Sequence, residues 1–330
     1  MPFMYSSVGI LRKIGEDGEF ELLNKVNPAD SSYVDQKLEF GVKVSYAIAF
    51  IRTAADVDYI GEASSSVDYC RAMRLERDWD NLSTVKAGVS VICNLWIDHA
   101  KRVFDGNNDT FADLYVDGKD TGYLVGVDLG TGYKLAFSRV LPRQNGDGNT
   151  RAPGSVLYGA NSTGEANSTE GWNGTEVSEA MSFPSAGSVL GWGEFESKDK
   201  INAYRYFWIK KPGGGGYCNY AEVELYGYPV EVLTAPGNFT CVNKNATLLN
   251  WTKATLATSY VVQRKTPDQF VWEDLAEVGN DVFSYRDSNL PSRNKEYSYR
   301  VVSVGTFGMR IPSEAKTIFA VKSGFPISVR

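Results

Sequence analysis

Short segments in which apolar and polar residues alternate recur along the whole chain, and helical periodicity is rare. SVGILRK at 7–13 and SYVVQRK at 259–265 are two examples. Such segments are rich in β-branched and aromatic residues and are separated by Gly, Pro, Asn and Asp turns. Alternation with a period of two predicts half-buried strands, and many short strands between turns predict antiparallel sandwiches. The pattern therefore predicts an all-β chain.

The same two segments belong to an internal repeat. At an offset of 252 residues, three stretches of the N-terminal region match stretches near the C-terminus, and a fourth matches after one extra residue. The matched pairs are SVGILRK with SYVVQRK, FELL (20–23) with WEDL (272–275), SYVD (32–35) with SYRD (284–287), and VSYAI (44–48) with YSYRV (297–301). A register kept over about 55 residues indicates two copies of one structural module.

The C-terminal copy contains a full set of predicted strands and resembles a fibronectin type III module. The resemblance rests on LLNW (248–251), on SYVVQRK, and on the run from Leu290 through Tyr297 to Val301. It implies an immunoglobulin-like sandwich for residues 231–330. It also implies that Tyr297 is the corner tyrosine, whose hydroxyl bonds back to the backbone.

The N-terminal copy, residues 1–75, departs from this pattern in two ways. Val44 replaces the corner tyrosine, and the first two strands of the module are missing. A sandwich that lacks two strands exposes apolar faces and unpaired strand edges. We expect residues 1–75 to be a partial module, cut by the boundary of a fragment. The alternative is a half-module that packs on its neighbour or accepts strands from another chain.

Residues 76–230, between the two copies, carry three motifs. The motifs are FDGNNDTF (104–111), then VGVDLG (125–130) followed by LPRQ and NTR, then YRYFWI (204–209) followed by AEVELYG (221–227). In this order they resemble the discoidin family (coagulation factor 5/8 type C), which includes the family 32 carbohydrate-binding modules. The resemblance implies an eight-stranded antiparallel jelly-roll whose loops at one end form the binding surface. VGVDLGTGYK alone also looks like an ATPase phosphate hairpin, but that fold needs helices that the sequence does not predict.

The loop FDGNNDTF has oxygen-bearing side chains at alternate positions and a glycine that permits a tight bend. Ca²⁺ takes about six to eight oxygen ligands, and the loop is not an EF-hand because the Gly–x5–Glu continuation is missing. The family resemblance implies a structural calcium site, and its implied ligands are the carbonyl of Arg102, the side chains of Asp105, Asn107 and Thr110, the carbonyl of Ala221 and the carboxylate of Glu222. Asn107 stands where family members often carry Asp, so we expect weaker binding. The alternative is an Asx-rich turn that caps its own backbone.

The same resemblance implies a sugar-binding surface on the loops. Family members that bind galactose-type sugars use an arginine and a nearby asparagine, matched here by Arg143 and Asn149, beside an aromatic platform, matched by Tyr217. The histidine and tryptophan often found after the first loop have no clear counterpart, and Tyr115 and Tyr123 are the available aromatics. Aromatic rings stack on the C–H face of a pyranose, and Arg or Asn meets its hydroxyls. The alternative is that Arg143 only braces its Gly-rich loop.

Composition narrows the remaining functions. Apolar residues make up 43% of the chain, yet no apolar run approaches the roughly 20 residues of a membrane span. The net charge of −6 is scattered, so nucleic acid is not an expected partner. His99 is the only histidine, which excludes His-cluster metal sites. The cysteines, which form no C-x-x-C pair and allow three disulfide pairings, are Cys70, Cys93, Cys218 and Cys241.

Catalysis has no support in the sequence. Glu194 and Glu196 lie along one strand-like run rather than on two sides of a cleft, and no G-x-S-x-G motif occurs. We therefore predict a non-catalytic glycan-binding region of a larger extracellular or cell-surface protein, with other modules of the chain as spacers. The alternative is an adhesion or scaffold protein whose discoidin-like domain binds a protein or lipid surface. No signal peptide is visible, so we expect either a protein that is not exported by that route or a fragment of a longer chain.

Overall fold

The chain folds into two compact units, named here by their positions in the sequence. The outer unit comprises Met1–Arg71 together with Glu231–Arg330, and the middle unit comprises Ala72–Val230. Within the outer unit, the part up to Arg71 is called the N-terminal module and the part from Glu231 the C-terminal module. The computed structural model describes residues 5–55, 57–78, 81–93, 96–115, 124–145, 148–162, 174–211, 217–243, 246–269, 271–290 and 295–320.

The N-terminal module is one antiparallel sheet. Its strands are β1 (Ser7–Ile14), β2 (Glu21–Val26), β3 (Lys43–Ala54), β4 (Val57–Ala63) and β5 (Val67–Cys70). They pair in the order β2-β1-β3-β4, and β5 also pairs with β3. Leu11, Ala47 and Ala49 are buried together. Because successive residues of a strand point to opposite faces, this cluster defines one face of the sheet, and Ile10 and Ile48 lie on the other.

The middle unit is built mainly of short strands. Those among its described residues are β6 (Met73–Arg74), β7 (Ser90–Cys93), β8 (Leu114–Tyr115), β9 (Leu124–Pro142), β10 (Val156–Ala160), β11 (Thr175–Glu176), β12 (Ser185–Ala186), β13 (Val189–Leu190), β14 (Gly193–Glu196), β15 (Tyr204–Lys210), β16 (Tyr217–Cys218) and β17 (Tyr220–Pro229). The helical turns are α1 (Ile97–Ala100), a 3-10 helix (Lys101–Phe104) and α2 (Gly148–Arg151). In the described part of the chain, no helix has the length and apolar character that a membrane crossing requires.

Eight of these strands form an antiparallel sandwich around the long strand β9. The first part of β9 pairs with β7 and β15, and its last part pairs with β14 and β17, so that one strand serves both layers. Between the two parts, Gly130 has a φ of 75°, a conformation that a residue without Cβ adopts at little cost. The VGVDLGTGYK segment is therefore the bend of β9. The predicted all-β class and the eight-stranded jelly-roll are confirmed.

Trp208, from the YRYFWI motif, belongs to the core of the middle unit. Its side chain is buried, and its ring stacks on Tyr158 with 6.0 Å between the ring centroids. Leu124 and Tyr206 are buried in the same cluster. Trp208 is therefore a packing residue of the middle unit rather than a residue exposed for binding.

The C-terminal module is a sandwich of two sheets. Its strands are β18 (Gly237–Asn243), β19 (Thr247–Thr252), β20 (Ser259–Lys265), β21 (Glu273–Gly279), β22 (Ser284–Asp287), β23 (Lys295–Val304), β24 (Arg310–Pro312) and β25 (Lys316–Ala320). One sheet has the order β18-β19-β22, and the other has the order β21-β20-β23-β24, with β25 also on β23. Trp251 and Tyr260 are buried between them and meet edge to face, with 5.7 Å between centroids. Cys241 has a free thiol, and burial raises its pKa to about 12.

The two modules of the outer unit share a buried cluster. Leu38 and Val44 of the N-terminal module belong to the same apolar cluster as Tyr297 of the C-terminal module. Arg300 also forms an ion pair with Glu21 across the two modules. The N-terminal module therefore packs on its neighbour in the outer unit.

The internal repeat is present in the strand pairing as well as in the sequence. The equivalent sheet pairs have the same register, and the equivalent edge strands carry a bulge at the same place. The pair Ser7–Ile51 of β1 and β3 corresponds to the pair Ser259–Val304 of β20 and β23. The bulge between Ile10 and Leu11 in β1 corresponds to the bulge between Val262 and Gln263 in β20. The two copies therefore have the same sheet, and not only similar sequences.

Candidate functional site

The loop from Asp105 to Thr110 is a compact turn with hydrogen bonds of its own. Thr110 Oγ1 donates to Asp105 Oδ2 at 2.7 Å, and the Asn107 amide donates to Asp105 Oδ1 at 2.8 Å. Asn107 Oδ1 accepts from the Asp109 amide at 3.1 Å. Gly106 has a φ of 78°, in the left-handed region that favours glycine. These are the bonds of an Asx-rich turn.

Glu222 reaches this turn from strand β17. Its Oε1 accepts from the amides of Gly106 at 2.6 Å and Asn107 at 2.9 Å. Its Oε2 is buried and has no hydrogen-bond partner among the described residues. Burial first, and then the neighbouring Asp105 carboxylate, raise the pKa of Glu222 to about 8. An Asx-rich turn that only caps its own backbone does not explain why Glu222 Oε2, a buried acceptor beside the Asp105 carboxylate, has no donor.

The residues around Glu222 fit a calcium ion. A cation between Asp105 and Glu222 would give the buried Oε2 a partner and would remove the repulsion between the two carboxylates. In the described part of the chain, no three His, Cys, Asp or Glu side chains converge, so other ligands have to be amide, hydroxyl or carbonyl oxygens. The carbonyl candidates are Arg102, in the 3-10 helix before the loop, and Ala221, beside Glu222 in β17.

Arg143 is held in the loop that follows β9. Its guanidinium lies over the ring of Phe111, with Cζ 3.9 Å from the centroid. Nε donates to Asn145 Oδ1 at 2.5 Å, and Nη1 donates to Asp113 Oδ2 at 3.2 Å. The side chain is 19% exposed. The aromatic face and the two acceptors fix the orientation of the guanidinium while part of it still faces solvent.

The backbone brings the other predicted ligand-binding residues to the same group of loops. Tyr115 and Tyr217 are directly opposite each other where β8 pairs with β16. The Arg143 amide donates to the carbonyl of Asn219, just after β16, at 3.1 Å. Asn149 lies in α2. The structure does not describe Tyr123 or the side chains of Tyr115, Asn149 and Tyr217.

Phe111, Asp113 and Arg151 also belong to this cluster; Phe111 and Arg151 end the motifs FDGNNDTF and NTR, but the sequence assigned none of the three a binding role. The Asp113 carboxylate lies between two guanidinium groups, since Arg151 Nη1 is 3.6 Å from Asp113 Oδ1. Phe111 and Asp113 are alternate residues directly after the loop from Asp105 to Thr110. In an extended segment such residues share one side, and this spacing is the signal that could have found them.

Besides the paired carboxylates Glu194 and Glu196, the sequence of the middle unit offers two tryptophans, Trp172 and Trp192, as core or loop residues. Glu194 and Glu196 are exposed residues of β14, two positions apart, so they share one face of a strand instead of flanking a cleft. Trp192 stacks with the guanidinium of Arg139, whose Cζ lies 4.7 Å from the ring centroid. Trp172 lies outside the described residues.

Comparison with known proteins gives similarities to single modules. No family model matches the chain. The chain is similar to the CBM62 module of Clostridium thermocellum Xyl5A, with 22% identity over 44% of this chain and 97% of that chain and a TM-score of 0.33. It is similar to the family 32 CBM from C. perfringens NanJ, solved with galactose, with 18% identity over 47% of this chain and 99% of that chain and a TM-score of 0.32. A third similar structure is an Fn3-like protein from Clostridium thermocellum, with 22% identity over 29% of this chain and 100% of that chain and a TM-score of 0.25.

These solved structures are of the two classes that the sequence motifs resemble, namely carbohydrate-binding modules with a discoidin-like fold and fibronectin type III-like domains. Each similarity covers less than half of this chain. The function of the chain therefore has to be argued from its own site residues.

Proposed function

We propose that the middle unit binds a glycan, without catalysing a reaction, through the loop cluster around Arg143. The observation that carries this proposal is the position of the Arg143 guanidinium, which Asn145 and Asp113 hold over the ring of Phe111. The sequence resemblance expects a sugar-contacting arginine at this residue. A guanidinium that is oriented before binding loses little further conformational freedom when ligand hydroxyls take its remaining donors.

The chemistry of the cluster suits a pyranose. Neighbouring sugar hydroxyls offer acceptors to the guanidinium fork, and the partly exposed carboxylate of Asp113 can accept a hydrogen bond from a hydroxyl. The proposed stacking platform for the C–H face is the tyrosine pair of β8 and β16, Tyr115 and Tyr217. Asn149 is the proposed second hydroxyl contact. Such shallow sites bind weakly one at a time, so attachment by several modules of an extracellular or cell-surface protein fits this design.

A glycan array probed with the full chain, and then with Arg143→Ala, tests this assignment. We expect Arg143→Ala to lower binding by about tenfold or more, because a charge-assisted pair of hydrogen bonds is lost. Arg205→Ala is the matched control: Arg205 also pairs with a carboxylate, that of Asp128, and lies over an aromatic ring, that of Tyr206 at 5.0 Å. Unchanged binding by Arg143→Ala would reject the site, and equal losses in both variants would point to a change in folding instead.

We also propose that Ca²⁺ binds between the Asp105 loop and Glu222. When bound, the ion supplies positive charge and a shared ligand centre, which ties the loop to β17 and so supports the neighbouring Arg143 cluster. The protein ligands are those expected from the sequence resemblance. The buried Oε2 of Glu222 and its raised pKa support this proposal.

Calcium binding is tested by titration calorimetry and by thermal melting in calcium and in chelator. At a free calcium concentration about 100 times Kd, binding to the native state alone adds about 2.7 kcal/mol to the free energy of unfolding. Glu222→Gln should remove this increment, whereas Glu194→Gln, a change at an exposed strand residue, should keep it. Identical melting curves in calcium and in chelator would refute the calcium site and leave the glycan proposal to be judged by the array.

A further inference from the structure

A second arginine, Arg151, lies beside Arg143 in the proposed glycan site. Arg151 ends α2 and Arg143 follows β9, so two separate elements bring the two guanidinium groups to one place. Between them lies the carboxylate of Asp113, with Oδ2 at 3.2 Å from Arg143 Nη1 and Oδ1 at 3.6 Å from Arg151 Nη1. The space between the two arginines therefore already fits a planar carboxylate.

The described residues of this site carry more positive than negative charge. Lys211 adds a third cation close to Arg151, because its Nζ donates to the carbonyl of Thr150 at 3.2 Å. In the described part of the chain, Asp113 is the one carboxylate that forms an ion pair with any of the three cations. Asp147, in the loop before α2, lies outside the described residues. Because the chain as a whole carries a net charge of −6, the excess of positive charge is local to these residues.

The Asp113 carboxylate is in a position to give way to another carboxylate. Its side chain is 42% exposed, and the side chains of Arg143 and Arg151 are each 19% exposed. An ion pair with an exposed partner contributes little to stability, because water competes for both charges. Both distances also exceed the about 2.7–2.9 Å of a strong charge-assisted hydrogen bond. A ligand that brings its own carboxylate can therefore take these donors from Asp113 at a small cost.

Arg143 keeps donors for such a ligand. Its Nε donates to Asn145, and its Nη1 uses one hydrogen on Asp113. Among the described residues, its Nη2 has no partner. Two neighbouring N–H groups of a guanidinium are the arrangement that binds a carboxylate through both of its oxygens. A neutral hydroxyl can use the same donors, but it gains less because it carries no charge.

We propose, on the basis of the glycan function proposed above, that this site selects glycans whose sugars carry a carboxylate, and that Arg151 is the residue that provides the selection. The sugar carboxylate lies between Arg143 and Arg151 and takes the place of the Asp113 side chain there. A neutral sugar leaves Asp113 on both arginines and meets only the remaining donors of Arg143. The two guanidinium groups thus distinguish acidic from neutral sugars, whereas Arg143 alone binds hydroxyls.

A glycan array with matched acidic and neutral pairs tests the selection. The pairs are sialyllactose with lactose, and galacturonic acid oligosaccharides with their methyl esters. We expect the carboxylated member of at least one pair to bind about tenfold or more tightly than its neutral partner, because a charge-assisted pair of hydrogen bonds replaces neutral ones. Added salt should lower this ratio, since a partly exposed charge pair is screened.

Two variants assign the selection to the arginine pair. Arg151→Gln should lower the ratio of acidic to neutral affinity to about twofold or less, because one of the two charges is lost. Asp113→Asn should instead raise the affinity for the acidic member by about threefold, because a competing carboxylate is removed. A residue that only supports the loop would lose affinity for both members. Arg205→Gln, at the other arginine that pairs with a carboxylate and lies over a ring, is the matched control and should keep the ratio.

Equal affinities for the acidic and neutral members of every pair would overturn the selection, while loss of binding in Arg143→Ala would still support the glycan function. An unchanged ratio in Arg151→Gln would overturn the role of that residue. A sulfated lactose that binds as tightly as the carboxylated sugars would also contradict the proposal, because the site would then select charge alone. If no glycan of the array binds, the proposed function itself fails.

Discussion

The N-terminal and C-terminal modules contain the same kind of five-stranded sheet, but only in the C-terminal module do the described residues include a second sheet. Their strand registers and their bulges agree. The Arg–Asp–Tyr contacts agree as well, with Arg12, Asp35 and Tyr46 in one copy. What differs is burial: Ile48 is half exposed, whereas its counterpart Val301 is fully buried.

This difference separates two kinds of interaction. Backbone pairing within a sheet, and side-chain bonds across its edge, form in both modules because every partner lies in the repeated segments. Strand structure at residues 32–35 requires a neighbour such as β19, which the described residues include in the C-terminal module and not in the N-terminal module. Local sequence therefore suffices for the sheet, whereas closure of a core requires two sheets.

The largest expected difference between the modules is in core truncation. Trp251→Ala should cost about 3–5 kcal/mol, because it empties a closed core. Phe50→Ala should cost no more than about 1 kcal/mol, because that ring is half exposed. Hydrogen exchange of the β20 and β23 amides measures the first variant, and exchange of the β1 and β3 amides measures the second. Equal losses of unfolding free energy in the two variants would mean that the face of the N-terminal sheet that carries Phe50 is covered in solution.

The buried carboxylates should instead behave alike in the two modules. Asp287→Asn and Asp35→Asn should each cost about 2–4 kcal/mol, because each removes the buried carboxylate that pairs with a nearly buried guanidinium, although Arg264 keeps its second partner Glu273. Chemical denaturation measures both variants when it is monitored by hydrogen exchange, of the β20 and β23 amides for Asp287→Asn and of the β1 and β3 amides for Asp35→Asn. Asp17→Asn, at an exposed position, is the control. An Asp35→Asn variant as stable as the control would show that the N-terminal contacts are not structural.

The Asp35 contact should also weaken in acid. Burial opposes ionisation of Asp35, but the hydrogen bond from Tyr46 and the charge of Arg12 outweigh it and hold its pKa below the usual value of 3.8. Its contribution is then complete above that usual value and is lost as the pH falls through the lower pKa of the folded state. The difference in unfolding free energy between the unchanged chain and Asp35→Asn should shrink as the pH is lowered. A constant difference down to full acid unfolding would contradict this reasoning.

The smallest expected effects are at the segment that leads into each sheet. Ser6→Ala and Thr258→Val each remove one hydroxyl bond to a strand carbonyl and should cost about 0.5–1.5 kcal/mol. The bond to the strand carbonyl has the same geometry in both modules, but Ser6 Oγ also accepts from the Thr53 amide at 3.0 Å, so Ser6→Ala should cost somewhat more than Thr258→Val. Exchange of the amide of residue 6 or 258 reports the change directly. A much larger loss for Thr258→Val would show that the closed core depends on this bond and the open sheet does not.

The middle unit shows how far motifs lead to a site. The family resemblance carried by FDGNNDTF and AEVELYG implied that Glu222 lies near the Asp105 loop, and the structure places Glu222 Oε1 2.6 Å from the Gly106 amide. The contacts of Arg143 with Phe111 and Asp113 were not expected, although all three residues are close to recognised motifs. Stacking and ion pairing between loops depend on loop conformations that no periodicity encodes.

By itself, the sequence determined the all-β class, the repeat, the strands and the side of each strand on which a residue lies, because alternation with a period of two is a local property of the backbone. Only the tertiary structure decided which of those sides are buried. Ile48 and Val301 occupy the same position of the same pattern, yet one faces solvent and the other a core. The reason is that burial depends on what packs over a face, and two of the three strands that cover Val301, β18 and β19, lie outside the repeated segments.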